Sequence, residues 1–278
     1  MKVTPSGQSC GAKVTGVDLA GELSSELVSD IRAAWLEHKV LAFVEQRMDG
    51  DALERFTLAM GGFGKDPFFE PIEGRENIAA ILREADEQTP LFAENWHSDW
   101  SFLERPPAGT CLLAADIPPV GGDTLFSNQI AAFEALTEER KEFLRGLTAI
   151  HSAARGYAPD GLYGDNDKGR SMSIRPGPAA RATQKHPLVK RHPETGAEAL
   201  FCSVSYVVGI EGFNDEDALA QIIELHQWSE QEQFIYRHKW EPGMLVMWDN
   251  RSLNHKATGG YEGYRRELHR TTIAAYTD

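Results

Sequence analysis

The sequence has little of several things, and each shortage excludes something. Cysteine is scarce: Cys10, Cys111 and Cys202 stand far apart in 278 residues. They form neither a C-x-x-C pair nor an even set, so a disulfide framework is excluded and a reducing cytoplasm is the expected compartment. No apolar run approaches the roughly 18 residues of a membrane span. The opening stretch MKVTPSGQSC has one lysine and no apolar centre, unlike a secretory leader. Positive charge is in the minority, with 28 Lys and Arg against 42 Asp and Glu, a formal charge of −14. Such a surface repels phosphate backbones, so nucleic acid is not an expected partner. A local basic pocket for a small anion remains compatible with it. Internal repeats, low-complexity tracts and Pro/Ser linkers are also missing. One domain over residues 1–278 is therefore expected.

What is present reads as a mainly β chain with flanking helices. AKVTGVDL alternates and is rich in β-branched residues. Residues 22–38 carry Leu23, Leu27, Ile31 and Trp35 at helical spacing, with Ser24 or Ser25 available as a cap. A buried strand is expected at 39–45 and a second helix at 50–64, closed by glycines. Short apolar strands follow at 109–117, 199–210, 243–250 and 267–276, separated by turns such as PPVGGDT and HPETGAE. Helices are expected at about 129–145 and 215–231. The span 155–184, rich in Gly, Asp and Arg and without periodicity, reads as a long loop of the kind that often covers an active site. Many short strands with few helices point to a double-sheet jelly roll, the double-stranded β-helix, rather than a βαβ fold.

The stretch NWHSDWSF sets His97 and Asp99 two residues apart among aromatics. If the segment is extended, both point to one face and Trp100 turns away, and Phe102 is expected to line the pocket. Two ligands do not make a stable site. His255, in WDNRSLNHKATGG, supplies a third after a strand and a polar turn. Two histidines and one carboxylate on one side of a metal are the facial triad of non-haem Fe(II) oxygenases. A lone His-x-Asp is in most proteins a hydrogen-bonded pair. The following YRRELHRTTI changes its meaning. Arg266, Leu268 and Arg270 alternate onto one face, and His269 onto the other. Two arginines facing an interior need anionic partners. A dicarboxylate would satisfy one of them through a bidentate fork.

These motifs, in this order, resemble the taurine dioxygenase and chlorophenoxyacetate dioxygenase (TauD/TfdA) family. The likeness runs nearly the whole chain, through GAKVTGVDLAGEL, HKVLAFVEQ, PPVGGDTLFSNQIAAFEAL, HPLVKRHPETGAEALF and WEPGMLVMWDNRSLNHKA. It implies Fe(II) held by His97, Asp99 and His255. It implies 2-oxoglutarate as co-substrate, with Thr124 and Arg266 on its distal carboxylate, and O2 as oxidant. It implies Arg270 near a substrate anion. The implied reaction hydroxylates a small organic molecule bearing an anionic group while 2-oxoglutarate is decarboxylated to succinate and CO2. A homo-oligomer, dimer or tetramer, is implied as well.

The chain departs from the taurine enzymes just before its His-x-Asp. In GKDPFFEPIEG, Asp66 takes the place of a histidine and Phe69 that of a tyrosine. Ala93 replaces an asparagine. Lys65, Asp66, Phe69 and Phe102 are therefore candidate substrate contacts, and taurine is not the expected substrate. Asp66 favours a second reading, the same chemistry on a cationic or zwitterionic molecule. A third reading is a non-catalytic metal-binding jelly roll, for which the paired arginines would have no use.

Overall fold

The computed structural model describes residues 1–275. Among them, seven strands form the larger sheet, in the order Lys2–Pro5, Ala12–Thr15, Val40–Phe43, Leu245–Asp249, Gly109–Asp116, Arg266–Ile273 and Ala79–Arg83. A three-stranded sheet, Ile235–His238, Thr124–Asn128 and Leu253–Ala257, lies opposite. The two share a core in which Val40, Ala42, Leu112, Val246 and Trp248 from the large sheet meet Phe126, Tyr236 and Leu253 from the small one. This is the expected jelly roll.

The apolar strands are uninterrupted because both faces of the large sheet are covered. Leu41, Phe43, Cys111, Leu113, Leu245 and Met247 point the other way, onto Ile31, Trp35, Leu53, Phe56 and Met60 of two helices. Each such side chain, fully buried, is worth about 1.5–3 kcal/mol. The first helix, Ser25–His38, starts where the Ser24 side chain accepts from the Leu27 amide. The second, Gly50–Met60, stops at Gly61. At Gly109 a Cβ would sit 2.5 Å from the Trp35 ring and 2.6 Å from the Trp248 carbonyl, so only glycine lets helix and sheet close up there.

Several boundaries differ from the sequence reading. The expected strand at 199–210 is two strands, Glu198–Leu200 and Val207–Ile210, which pair with different partners. The expected helix at 129–145 is two, Gln129–Glu134 and Glu138–Arg145, the second capped by Thr137. Lys2–Pro5, unexpected from the sequence, pairs with Ala12–Thr15. The last strand begins at Arg266, ends at Ile273 and leaves Arg265 outside, paired with Glu84, Asp116 and Glu267. Tyr276, the end of the expected strand, lies outside the described residues. The long loop is shorter than 155–184, since Ala154–Tyr157 is a helical turn and Thr183–Pro187 a strand. No helix among the described residues is long and apolar enough to cross a membrane.

Candidate metal centre

The backbone brings the distant histidines together. His97 and His255 form an antiparallel bridge in which His97 N donates to His255 O at 3.0 Å, and His255 N to His97 O at 2.7 Å. His255 belongs to Leu253–Ala257, paired with Thr124–Asn128 so that Ala257 faces Thr124. Arg266, Leu268 and Arg270 share the inner face of their strand, and His269 turns out to Glu267, as alternation predicts.

After His97 the chain does not stay extended. A turn runs through 99–102, with Trp100 at a positive φ of 49°. Alternation therefore does not hold there, and the outcome for the two aromatics is the reverse of the expectation. Trp100 lines the cavity, whereas Phe102 packs on Phe68, Trp100 and Tyr206 outside it.

One ligand atom from each of His97, Asp99 and His255 lies within 4.8 Å of the others. Asp99 Oδ1 is 3.6 Å from His97 Nε2 and 3.9 Å from His255 Nε2. His97 Nδ1 lies 2.8 Å from the Asn95 carbonyl, so that nitrogen carries the proton and Nε2 keeps its lone pair for a metal. Burial pushes His97 down and takes His255 to about 3, which keeps both imidazoles neutral. Asp99 is held far below the usual carboxylate range. Burial opposes this, but Arg270, His255 and His97 outweigh it, helped by the Thr110 hydroxyl. Neutral imidazoles and an ionised carboxylate are the protonation states a divalent ion requires, so the donor set fits Fe(II).

Beside the triad lies an anion cradle. Arg266 is buried between the rings of Trp240 and Tyr261, and its Nη2 donates to the Gly122 carbonyl at 3.1 Å. Its Nε has no hydrogen-bond partner among the described residues. Thr124 Oγ1 accepts from Trp240 Nε1 at 3.0 Å, which leaves its own proton free to donate. Gly122, at a φ of 69°, leaves room for this arginine, because a Cβ there would come within 3.0 Å of Arg266 Nε.

Arg270 is also buried, over the faces of Phe69 and Trp100. It bridges two carboxylates. Nη1 pairs with Asp66 and Nη2 lies 3.2 Å from Asp99 Oδ2. Asp66 does not line the main cavity. It reaches Arg270 from a separate cleft shared with Gly64, Arg75 and Thr272. Burial raises the Asp66 carboxyl, and Arg270 opposes that rise. Lys65 is exposed and lines neither space, whereas Phe69 borders both.

Thr124, Arg266, Arg270 and the triad all line one cavity of about 70 Å³. It shares Phe92, Ala93, His97, Tyr157 and Tyr206 with an adjoining chamber of about 280 Å³. Sequence reasoning did not single out Tyr157 and Tyr206 among the lining residues. Tyr157 sits in the stretch without periodicity and Tyr206 in the apolar run at 199–210, where an aromatic reads as core. Arg83, on the Ala79–Arg83 strand, also lines the cavity and is held by Glu87 at 3.3 Å.

A sequence model of the "Taurine catabolism dioxygenase TauD, TfdA family" matches residues 2–272. An alkylsulfatase from Acinetobacter baylyi is 32% identical, over 95% of this chain and 82% of that protein. An alpha-ketoglutarate-dependent sulfate ester dioxygenase from Pseudomonas putida is 30% identical over 99% and 89%. An alpha-ketoglutarate-dependent 2,4-dichlorophenoxyacetate dioxygenase from Cupriavidus pinatubonensis is 32% identical over 94% and 93%. The crystal structure of a taurine dioxygenase from Burkholderia xenovorans superimposes with a TM-score of 0.81 at 29% identity, covering 99% of this chain and 91% of that one. That of AAD-2 in complex with Mn(II) and N-oxalylglycine gives 0.79 at 25% identity, covering 99% of each. The chain belongs to the TauD/TfdA family and is an Fe(II)- and 2-oxoglutarate-dependent dioxygenase.

Proposed function

We propose that His97, Asp99 and His255 hold the Fe(II), that Arg266 and Thr124 take the distal carboxylate of 2-oxoglutarate, and that Arg270 orients an anionic group of a small organic substrate. The observation that carries this reading is the convergence of two neutral imidazoles, one carboxylate and the unpaired Arg266 Nε on a single cavity. Bound Fe(II) supplies the centre at which O2 is activated, coupling decarboxylation of 2-oxoglutarate to substrate hydroxylation. The protein groups do the rest. Arg266 forks onto a carboxylate, Thr124 donates its hydroxyl proton, and Phe69, Trp100, Tyr157 and Tyr206 wall the reacting region against water. Anaerobic addition of Fe(II) and 2-oxoglutarate is expected to raise a visible charge-transfer band that His97→Ala and Asp99→Ala lack. Folded wild-type protein without that band would sink the assignment.

The relatives named for sulfate esters and chlorophenoxyacetate support an organic anion as substrate. Taurine is not favoured, since Asp66 occupies Arg270. That same contact favours a second reading, a zwitterionic or cationic substrate such as an amino acid or betaine. Succinate release across panels of organic acids, sulfate esters and quaternary amines separates the two. The stretch 158–177 acts as the lid, because Tyr157, Tyr163 and Arg170 around it border the cavity or its chamber. The three buried free cysteines fit a cytoplasmic enzyme. A dimer or tetramer is carried over from the family likeness alone, and light scattering on the purified protein tests it.

A further inference from the structure

The direction of the hydrogen bonds behind Asp99 follows from the chemistry of their members. Trp248 can only donate, and its Nε1–H reaches Asn250 Oδ1 at 2.9 Å. That contact fixes the amide, so Nδ2 is the donor end. It donates to Thr110 Oγ1 at 3.0 Å. The threonine hydroxyl, having accepted there, sends its one proton to Asp99 Oδ2 at 2.5 Å. The Ser98 hydroxyl donates to the Asn250 carbonyl at 2.6 Å and ties the residue before Asp99 to the same asparagine. Thr110, Asn250 and Trp248 are at most 2% exposed, so bulk water does not compete for these groups. Arg270 Nη2 faces the same oxygen at 3.2 Å. Oδ2 is thus occupied, while Oδ1 faces both imidazoles.

We propose that Thr110 is a positioning residue for the metal-binding carboxylate. The Trp248–Asn250–Thr110 relay commits Oδ2 of Asp99 to hydrogen bonding and presents Oδ1 alone to the ion. A carboxylate that bound through both oxygens would take a coordination position that the co-substrate or oxygen needs. This rests on the ligand set proposed above.

The test titrates metal-free protein with Mn(II) by calorimetry. Thr110→Val removes the hydroxyl at nearly constant shape and is expected to weaken binding by about 10–100-fold, the usual cost of losing an outer-shell partner. Thr110→Ser keeps the donor and retains most of the affinity. Asn250→Ala, which removes the donor that orients the threonine hydroxyl, falls between them. In the anaerobic Fe(II) and 2-oxoglutarate complex, the charge-transfer band shifts in Thr110→Val and returns in Thr110→Ser. Equal loss in the valine and serine variants overturns the proposal. So does a valine variant that melts earlier without metal yet binds Mn(II) like wild type, because its role is then only structural. If Thr110→Val does not fold, undiminished Mn(II) affinity in Asn250→Ala overturns the relay. Asp99→Ala in the same titration separates the layers. If it keeps full affinity, the ligand assignment has failed, whereas its loss beside an unaffected Thr110→Val condemns the relay alone.

Discussion

Arg270 shows how a single neighbour, Asp66, changes what a buried arginine offers to a ligand. It is buried and held between Asp66 and Asp99, so any substrate anion must compete with a carboxylate already in place. Asp66→Asn removes the competing charge, and a charge-assisted bond of this kind is worth about 1.5–3 kcal/mol. The KM for an accepted organic anion should accordingly fall about tenfold, with kcat little changed. An unchanged or raised KM argues that Asp66 takes part in holding the substrate. At Arg266, lysine keeps the charge but loses the fork. Arg266→Lys should raise the KM for 2-oxoglutarate by about tenfold or more, read as succinate formation against co-substrate concentration. Of the residues proposed for the ion and the co-substrate, spacing and alternation suggested His97, Asp99, His255 and Arg266, while Thr124 came only from the family resemblance. The Asp66 contact was not legible in the sequence. It joins positions 204 residues apart, through a cleft on the far side of Arg270. Thr110 was hidden for a similar reason, since a threonine in a continuous apolar strand reads as ordinary β composition.

Among the elements, the segments over the cavity depend on Glu87. Its carboxylate, almost wholly buried, accepts from the Ser171 amide at 3.0 Å and pairs with Arg83 at 3.3 Å. It also accepts from Thr89 and lies 3.8 Å from Arg170, so one side chain fastens 83–89 to 170–171. Glu87→Ala takes from Arg83 its buried carboxylate, which is more damaging than losing a surface pair, while Arg170 keeps Asp167. We expect faster limited proteolysis within 158–177 and more succinate released per substrate hydroxylated. Unchanged protection and tight coupling would show that the segment is held by something else. The turn at 99–102 is the element the sequence concealed. Trp100 adopts a left-handed backbone that costs about 1–2 kcal/mol for a residue with a Cβ, and no local signal announces it. Its edge-to-face contacts with Phe68 and Phe69 and the Arg270 guanidinium over its ring supply the compensation. The strand at 199–210 divided for a different reason. Its halves satisfy backbone groups of separate sheets, a long-range choice that composition does not record.

Taken whole, the molecule buries histidines it does not use as proposed ligands. Burial takes His151 to about 3 and His238 to about 4, below their ordinary 6.5. The unfolded chain therefore binds protons that the native chain refuses between roughly pH 4 and 6.5, so native stability falls as pH drops through that window. At pH 5 each contributes about 2 kcal/mol of loss. The melting temperature of metal-free protein should decline steadily from pH 7 to pH 5 at fixed ionic strength, and a flat or rising profile would contradict the burial of these rings. The jelly roll itself was legible at this scale from the density of short strands, while the pairing order was not.

The bridge between His97 and His255 has a consequence in time rather than in space. His97 is made well before His255. Their mutual backbone bonds form only once the small sheet has received its Leu253–Ala257 strand. A chain stopped before that strand carries His97 and Asp99 without the His255 bridge beside them. The backbone link between the two histidines thus reports that strands from both parts of the chain have docked.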